Sequence, residues 1–251
     1  MNIVVAKNWR ELNHWQLQEI ANIYLQTNPE KFYQDFRKMV FVLFQKKKSF
    51  WAKLKFYKIL RQVKFEDLAF HAQFILETTD FHSFPEIKGL IKPSDRIASL
   101  DAKHFSYCDK LYHDWEQDKS EINLRRFVAS LYKVEENFDE LKMPEVAKYT
   151  QKLTVKECMV IALAYKFSKI HIWKTYPVIF PTKKEEDETE TFKPVFKKAN
   201  TYQSFDKVIN GLVFTEEKPL GTKAEAERTR IYPFLNVLQE SILRNKEKQK
   251  L

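Results

Sequence analysis

The chain predicts a mainly α fold, an irregular multi-helix bundle with one or two short peripheral strands. Glycine is the first reason: there are three, Gly89, Gly211 and Gly221, in 251 residues, where a typical domain uses about 7%. Sheets, barrels and tight hairpins need glycine wherever φ turns positive. The second reason is the recurrence of apolar residues at helical spacing behind residues that cap helices. The third is bulk. Apolar residues make up 44% of the chain and aromatics 15%, with 21 Phe. A chain of this length buries about 70–75% of its extended surface on folding, enough for a core without staples.

Element by element, Asn2–Ala6 reads as a short strand. Asn13 with Gln16 three residues on is a capping box that opens a helix to about Gln26. Asn28-Pro29 starts a second, because proline at the first helical position gives up a bond that would not form there. Phe32, Phe36, Met39, Val40 and Leu43 form its core stripe. Ser49 can cap a third helix, Phe50 to about Gln62, whose apolar positions do not gather on one side. A further helix runs from Glu66 to Leu76. Pro85, Gly89 and Pro93 then punctuate a long connection, 78–99. Helices follow over 102–118 and, capped by Ser120, over 121–132, with Leu124, Phe127, Val128 and Leu131 inward and Arg125 and Arg126 outward. Pro144 starts a short helix. Thr154 and Glu157 form a second capping box ahead of the most apolar helix, to about Trp173, with 160–165 at the centre of the core. Val178–Phe180, between Pro177 and Pro181, reads as extended and able to pair with the N-terminal strand.

The clearest compositional boundary comes next. Residues 182–191 hold Glu185, Glu186, Asp187, Glu188 and Glu190 and no apolar residue, which reads as a solvated linker. The expected organisation is a main helical domain over 1–181, an acidic flexible linker over 182–194 and a C-terminal helical segment over 195–251. In the last, helices are expected over 202–214 and from Thr222–Glu225 onward, with Ile231, Leu235, Leu238 and Ile242 on one face. Pro233 must kink or restart the second.

Composition excludes several chemistries. Three glycines so spaced cannot write G-x-G-x-x-G, a P-loop or G-x-S-x-G, so the usual dinucleotide, nucleotide and hydrolase fingerprints are missing. Cys108 and Cys158 are the only cysteines and form no C-x-x-C pair, which fits a reducing compartment. The first ten residues lack the pattern of a secretory signal. The longest apolar runs, 39–44 and 159–165, fall far short of the roughly 20 residues that span a bilayer. A soluble chain that is not secreted by a signal peptide is expected.

Candidate chemistry weighs weakly. At about 100° per residue His104 and Cys108 share a helix face and His113 falls on the other, while a metal site needs three or four convergent ligands. Packing explains that face better. Asp80 and His82 are sequence neighbours without a positioned nucleophile. Asp114 and Glu116, and the patch Glu135, Glu136, Asp139 and Glu140, read as solvated surface, although paired carboxylates obey no spacing rule. No catalytic residue, metal or cofactor is assigned, and an enzyme is not expected.

The basic segment is the strong signal. Residues 31–64 carry eleven Lys and Arg against one acid, Asp35, a local charge of +10 in a chain of formal net charge +9. The excess is confined to this stretch. Its expected anion- or partner-binding residues are Lys46, Lys47, Lys48, Trp51, Lys53, Lys55, Lys58, Arg61 and Lys64. Such a stretch docks polyanions or acidic proteins, with Phe50, Trp51, Phe56 or Tyr57 available for stacking on bases. Lysine outnumbers arginine, which disfavours bidentate phosphate or base readout. The acidic linker has the complementary sign and could compete for the same cations.

Several phrases recur together in one family: Leu90-Ile91-Lys92-Pro93-Ser94-Asp95-Arg96, Phe127-Val128-Ala129-Ser130-Leu131-Tyr132, Tyr176-Pro177-Val178-Ile179-Phe180-Pro181, Pro219-Leu220-Gly221-Thr222, and Arg230-Ile231-Tyr232 with Phe234-Leu235-Asn236. With them the chain resembles, over nearly its whole length, an uncharacterised family from tailed phages and prophages of Bacteroidetes-type bacteria. The resemblance implies a product of virion or tail assembly genes, an assembly chaperone or structural connector. Its partners would be other phage structural or assembly proteins, and its place the host cytoplasm or the virion. The phrases carry no chemical mechanism, so no active-site residue is carried over. Nucleic-acid binding through 46–64 is the alternative function.

Overall fold

A computed structural model of the protein describes residues 5–45, 47, 49–181, 204–214 and 218–248, and for Phe50, Ala52, Lys53 and Lys55 the backbone. Among these residues the fold is helical throughout. The α-helices are α1 (His14–Gln26), α2 (Phe32–Leu43), α3 (Phe50–Leu60), α4 (Phe65–Phe70), α5 (Phe74–Glu77), α6 (Ala102–Asp118), α7 (Glu121–Leu131), α8 (Met143–Thr150), α9 (Val155–Thr175), α10 (Phe205–Val213), α11 (Lys223–Arg228) and α12 (Ile231–Lys248). Contacts divide the chain into two compact units. One comprises 5–81 with 154–163, the other 82–153 with 164–181 and 204–248, so α9 contributes residues to both.

In the first unit the expected capping box of α1 is formed, with Asn13 Oδ1 accepting from Gln16 N and Gln16 Oε1 accepting from Asn13 N. Gln16 does more. Its buried amide donates to Leu43 O at 2.8 Å and Gln45 O at 2.9 Å, satisfying carbonyls at the end of α2 that no helical amide can reach. Trp9 is fully buried between Tyr24 and Phe74, edge-on to both, and its indole donates to Thr78 O. Lys156 in the first turn of α9 pairs with Glu19 of α1 at 2.6 Å.

The second unit is built on an aromatic cluster. Tyr112 and Trp115 of α6, Phe127 of α7 and Tyr165 of α9 lie 5.0–6.5 Å apart, ring to ring. Beside them Lys169 forms an ion pair with Asp109, its ammonium 5.2 Å from the Tyr112 ring and 5.4 Å from that of Trp173. Removing two charges from water is costly, and the carboxylate together with the ring faces offsets that cost. The C-terminal helices α10, α11 and α12 pack on α6, with Phe205 5 Å-class contacts to Phe105 (4.9 Å) and Phe234 (5.3 Å).

Some expectations are corrected. Residues 178–180 are not extended: Ile179 and Phe180 N both bond Tyr176 O in a turn that closes α9. Of the N-terminal strand, Val5 and Ala6 have no regular structure and residues 2–4 lie outside the described residues, as do the linker 182–194 and its proposed competition for the cations. The helix expected over 66–76 is two short helices, α4 and α5, because the turns at 70–73 close with i→i+3 bonds. Pro233 falls in the first turn of α12, so it restarts the helix rather than kinking it. Arg125 does not point away; its guanidinium donates to Gln151 O and Leu153 O beyond the end of α8.

The connection 82–101 is anchored at several places. Tyr132 OH donates to Pro85 O, and Ile91 and Lys133 exchange backbone bonds as an isolated antiparallel bridge. Gly89 sits at φ +88°, where a built Cβ would lie 2.9 Å from the Tyr149 ring. Arg96 and Ile97 follow in the left-handed region at φ 57° and 56°, a conformation that costs about 1–2 kcal/mol per non-glycine residue. Ile97 is β-branched and fully buried. Replacing Gly89 with Ala should destabilise the protein by roughly 1–3 kcal/mol, read as a lower urea midpoint with an unchanged slope. An unchanged midpoint would show that Tyr149 yields and that the turn is not constrained.

Candidate anion- and partner-binding face

Helix α3 has one fully buried side chain among those described. Phe56, 4% exposed, is set edge-on to Phe41 at 4.7 Å and tilted to Phe44 at 6.2 Å, both from α2 and its end. At about 100° per residue, seating Phe56 inward turns Trp51, Leu54, Lys58 and Arg61 outward, at i, i+3, i+7 and i+10, with Tyr57 on the edge of the same face. Trp51 is 72% exposed, Tyr57 60% and Leu54 39%. Ser49 precedes the helix in an extended conformation but makes no side-chain cap, which corrects that expectation.

The sequence-predicted site residues divide by this rule. Lys47, Trp51, Lys58, Arg61 and Lys64 are exposed. Lys46 and Lys48, and the side chains of Lys53 and Lys55, lie outside the described residues. None of Lys47, Lys58, Arg61 or Lys64 forms an ion pair with a described residue, whereas Asp35, the single acid of the segment, is buried and engaged by Lys38 at 2.7 Å and by Thr27. The cationic stretch is bounded by Glu66 and Asp67, which occupy the first turn of α4, where the helix dipole favours acids.

The apolar part of the face extends beyond the residues the sequence singled out. Among the described residues of the first unit, every large apolar side chain that is exposed lies between Tyr33 and Phe70. Arg37 spans part of this border, its guanidinium 5.8 Å from the Tyr33 ring and 5.3 Å from that of Phe65. The i, i+4 spacing of Tyr33 and Arg37 on α2 was the signal that could have found it. Phe70 is 68% exposed on α4. Aromatic and aliphatic groups here stand in water beside cations that have no ion-pair partner among the described residues.

The other candidates take packing roles. His104 Nε2 is 2.6 Å from Ser130 O, and the Cys108 thiol donates to the same oxygen at 3.3 Å. Since a carbonyl only accepts, the His104 proton sits on Nε2, and its ring stacks on Phe138 at 4.1 Å. Nδ1 is buried with no hydrogen-bond partner among the described residues, so a second proton there would find no acceptor among them. Burial accordingly lowers the His104 pKa from 6.5 to about 4, and raises the Cys108 thiol. His113 is half-buried on another face of α6. No group of three His, Cys, Asp or Glu among the described residues is placed to hold a metal. Glu116 accepts from Tyr112 OH and pairs with Lys119, Glu135 pairs with Lys142, and Asp139 caps a turn. His82 is buried with Nδ1 3.5 Å from Ser168 Oγ and its ring 5.7 Å from His171. Ser168 Oγ already donates to Ala164 O at 2.7 Å and is fully buried, which leaves it poorly placed as a nucleophile. No helix among the described residues is long and apolar enough to cross a membrane.

No family model matches the chain, and no curated protein or solved structure matches it significantly. The geometry therefore carries the functional argument.

The depressed His104 pKa has a sign. The unfolded chain takes up a proton near pH 6.5 that the folded chain resists until about pH 4, so stability is full above pH 6.5 and is lost as pH falls through this window. Wild type should lose about 2 kcal/mol from this group between pH 7 and 5. His104→Gln, which keeps a donor for Ser130 O, should flatten that dependence in urea titrations. An equal slope in both proteins would contradict the buried neutral imidazole.

Proposed function

We propose that the protein works by binding rather than by turnover, as a phage tail or virion assembly factor or structural connector that docks other virion proteins on the outward face of α3. The observation that supports this reading is the composition of that face: Trp51, Leu54 and Tyr57 in water beside Lys58 and Arg61. Protein interfaces draw their energy from a few buried aromatic anchors with a charged rim, and steering by a cationic patch selects partners of acidic surface. The family resemblance of the sequence supplies the assembly context.

Nucleic-acid binding is the second reading, favoured by the pairing of stackable rings with cations that carry no ion-pair partner among the described residues. Leu54, on the stripe itself, and Val63 weigh against it, since exposed aliphatic groups add little to a phosphate-and-base contact. A hydrolase with dispersed carboxylates is less supported, because the acids nearest to one another are engaged by lysines and backbone amides.

Binding should be measured against poly-L-glutamate and against a single-stranded oligonucleotide at about 50 mM and 200 mM salt. The docking reading expects the double variant K58E/R61E to lose most affinity for the acidic polypeptide, and Trp51→Ala to weaken it at both salt concentrations. Strong oligonucleotide binding that falls steeply with salt would instead select the nucleic-acid reading. Affinity for both probes unchanged in K58E/R61E would remove α3 as the site.

A further inference from the structure

The outward stripe of α3 has a spacing of its own. Trp51, Leu54, Lys58 and Arg61 stand at i, i+3, i+7 and i+10, which at about 100° per residue confines them to an arc of about 80°. Alternation of three and four is the heptad seam along which two helices pair. It is narrower than the apolar face of a helix seated on a core. Arg61 belongs to the seam although it follows the last residue of α3, because its backbone keeps right-handed helical angles, φ −79° and ψ −18°.

The two halves of this seam differ in chemistry. The N-terminal half is apolar, with Trp51 72% and Leu54 39% exposed. The C-terminal half is cationic, with Lys58 and Arg61 exposed and without an ion-pair partner among the described residues. No acid occurs in α3 itself. Glu66 and Asp67, the acids that come next in the chain, are placed in the first turn of α4.

These features select among occupants. A second copy of the chain fits in neither direction: parallel pairing sets Lys58 and Arg61 against themselves, and antiparallel pairing sets them against Trp51 and Leu54. An extended segment presents side chains at a period of two, which does not follow a heptad. A helix with acids opposite Lys58 and Arg61 and apolar residues opposite Trp51 and Leu54 meets both halves. Direction follows from the helix dipole. Cations are favoured in the last turn of α3 and acids in the first turns of a partner helix, and the two conditions coincide only when the helices run antiparallel.

We propose that α3 receives one amphipathic helix of its partner protein, antiparallel to α3, with acids at the seam positions of its first turns and apolar residues at those that follow. This rests on the docking reading and names the chemistry of the partner.

The test uses the full chain and three labelled synthetic peptides of about 20 residues, long enough for a helix to form in isolation. The first carries Glu at the seam positions of its N-terminal half and Leu at those of its C-terminal half. The second exchanges the two halves, and the third is the first with a central Pro, which breaks the helix. Fluorescence anisotropy should give the first peptide an affinity about tenfold higher than either of the others. Leu54→Ala and K58E/R61E should each weaken it about fivefold or more, while Leu141→Ala, exposed in the other unit, leaves it unchanged. Failure here is separable from failure of the docking reading. Equal affinity for all three peptides, with poly-L-glutamate binding still dependent on Lys58 and Arg61, would overturn the helical partner and leave docking in place. Tighter binding of the second peptide would overturn the antiparallel arrangement, and binding of neither the peptides nor poly-L-glutamate would remove both readings.

Discussion

The seating of Phe56 between Phe41 and Phe44 is the constraint on which the functional reading depends. A helix of eleven residues with one fully buried described side chain has its rotation set by that chain. Once Phe56 is inward, helical geometry leaves Trp51, Leu54, Lys58 and Arg61 no other direction than water. Of the segment's described cations, Lys58 and Arg61 thus share a face with Trp51 and Leu54. Burial of a single phenyl ring stabilises by about 1.5–3 kcal/mol, enough to fix orientation but little enough that a partner could add substantially to the order of α3.

The second unit follows different physics. Its centre is a cluster of four large rings with a charged pair at the margin, and its long connection is held by side chains reaching for backbone carbonyls. Tyr132 reaches Pro85 O, Tyr232 reaches Arg96 O and Arg230 reaches Ser99 O. A connection of this length between helices would otherwise leave many amides and carbonyls to water. Here it forms a fixed surface, and the left-handed pair Arg96–Ile97 is the energetic cost of that path.

Much of the helical plan was legible, because caps are local chemistry. Asn13–Gln16, Thr154–Glu157 and Thr222–Glu225 each form the reciprocal bonds that their spacing implies. Errors arose where a neighbour overrides the local signal. The run 178–180 has strand propensity, yet Tyr176 O captures its amides in a turn. Arg125 faces outward on a helical wheel, yet the carbonyls following α8 draw it back. For the candidate site, the cations were visible in composition, but the choice between Phe56 and Trp51 was not, since both are aromatic and only α2 distinguishes them. The bond from Tyr232 OH to Arg96 O was out of reach for the same reason: it joins residues more than 130 apart in the sequence.

If virion proteins dock on α3 as proposed, the partner lies against Trp51 and Tyr57 during assembly, a positional demand that no soluble probe meets fully. Site-specific photo-crosslinking measures this directly, with a photo-reactive phenylalanine placed in turn at Trp51, Tyr57, Ile122 and Leu141, all exposed, in phage-producing cells. The account predicts crosslinks to a virion protein from the first two positions and none from the other two. Crosslinks from Ile122 or Leu141 alone would contradict it.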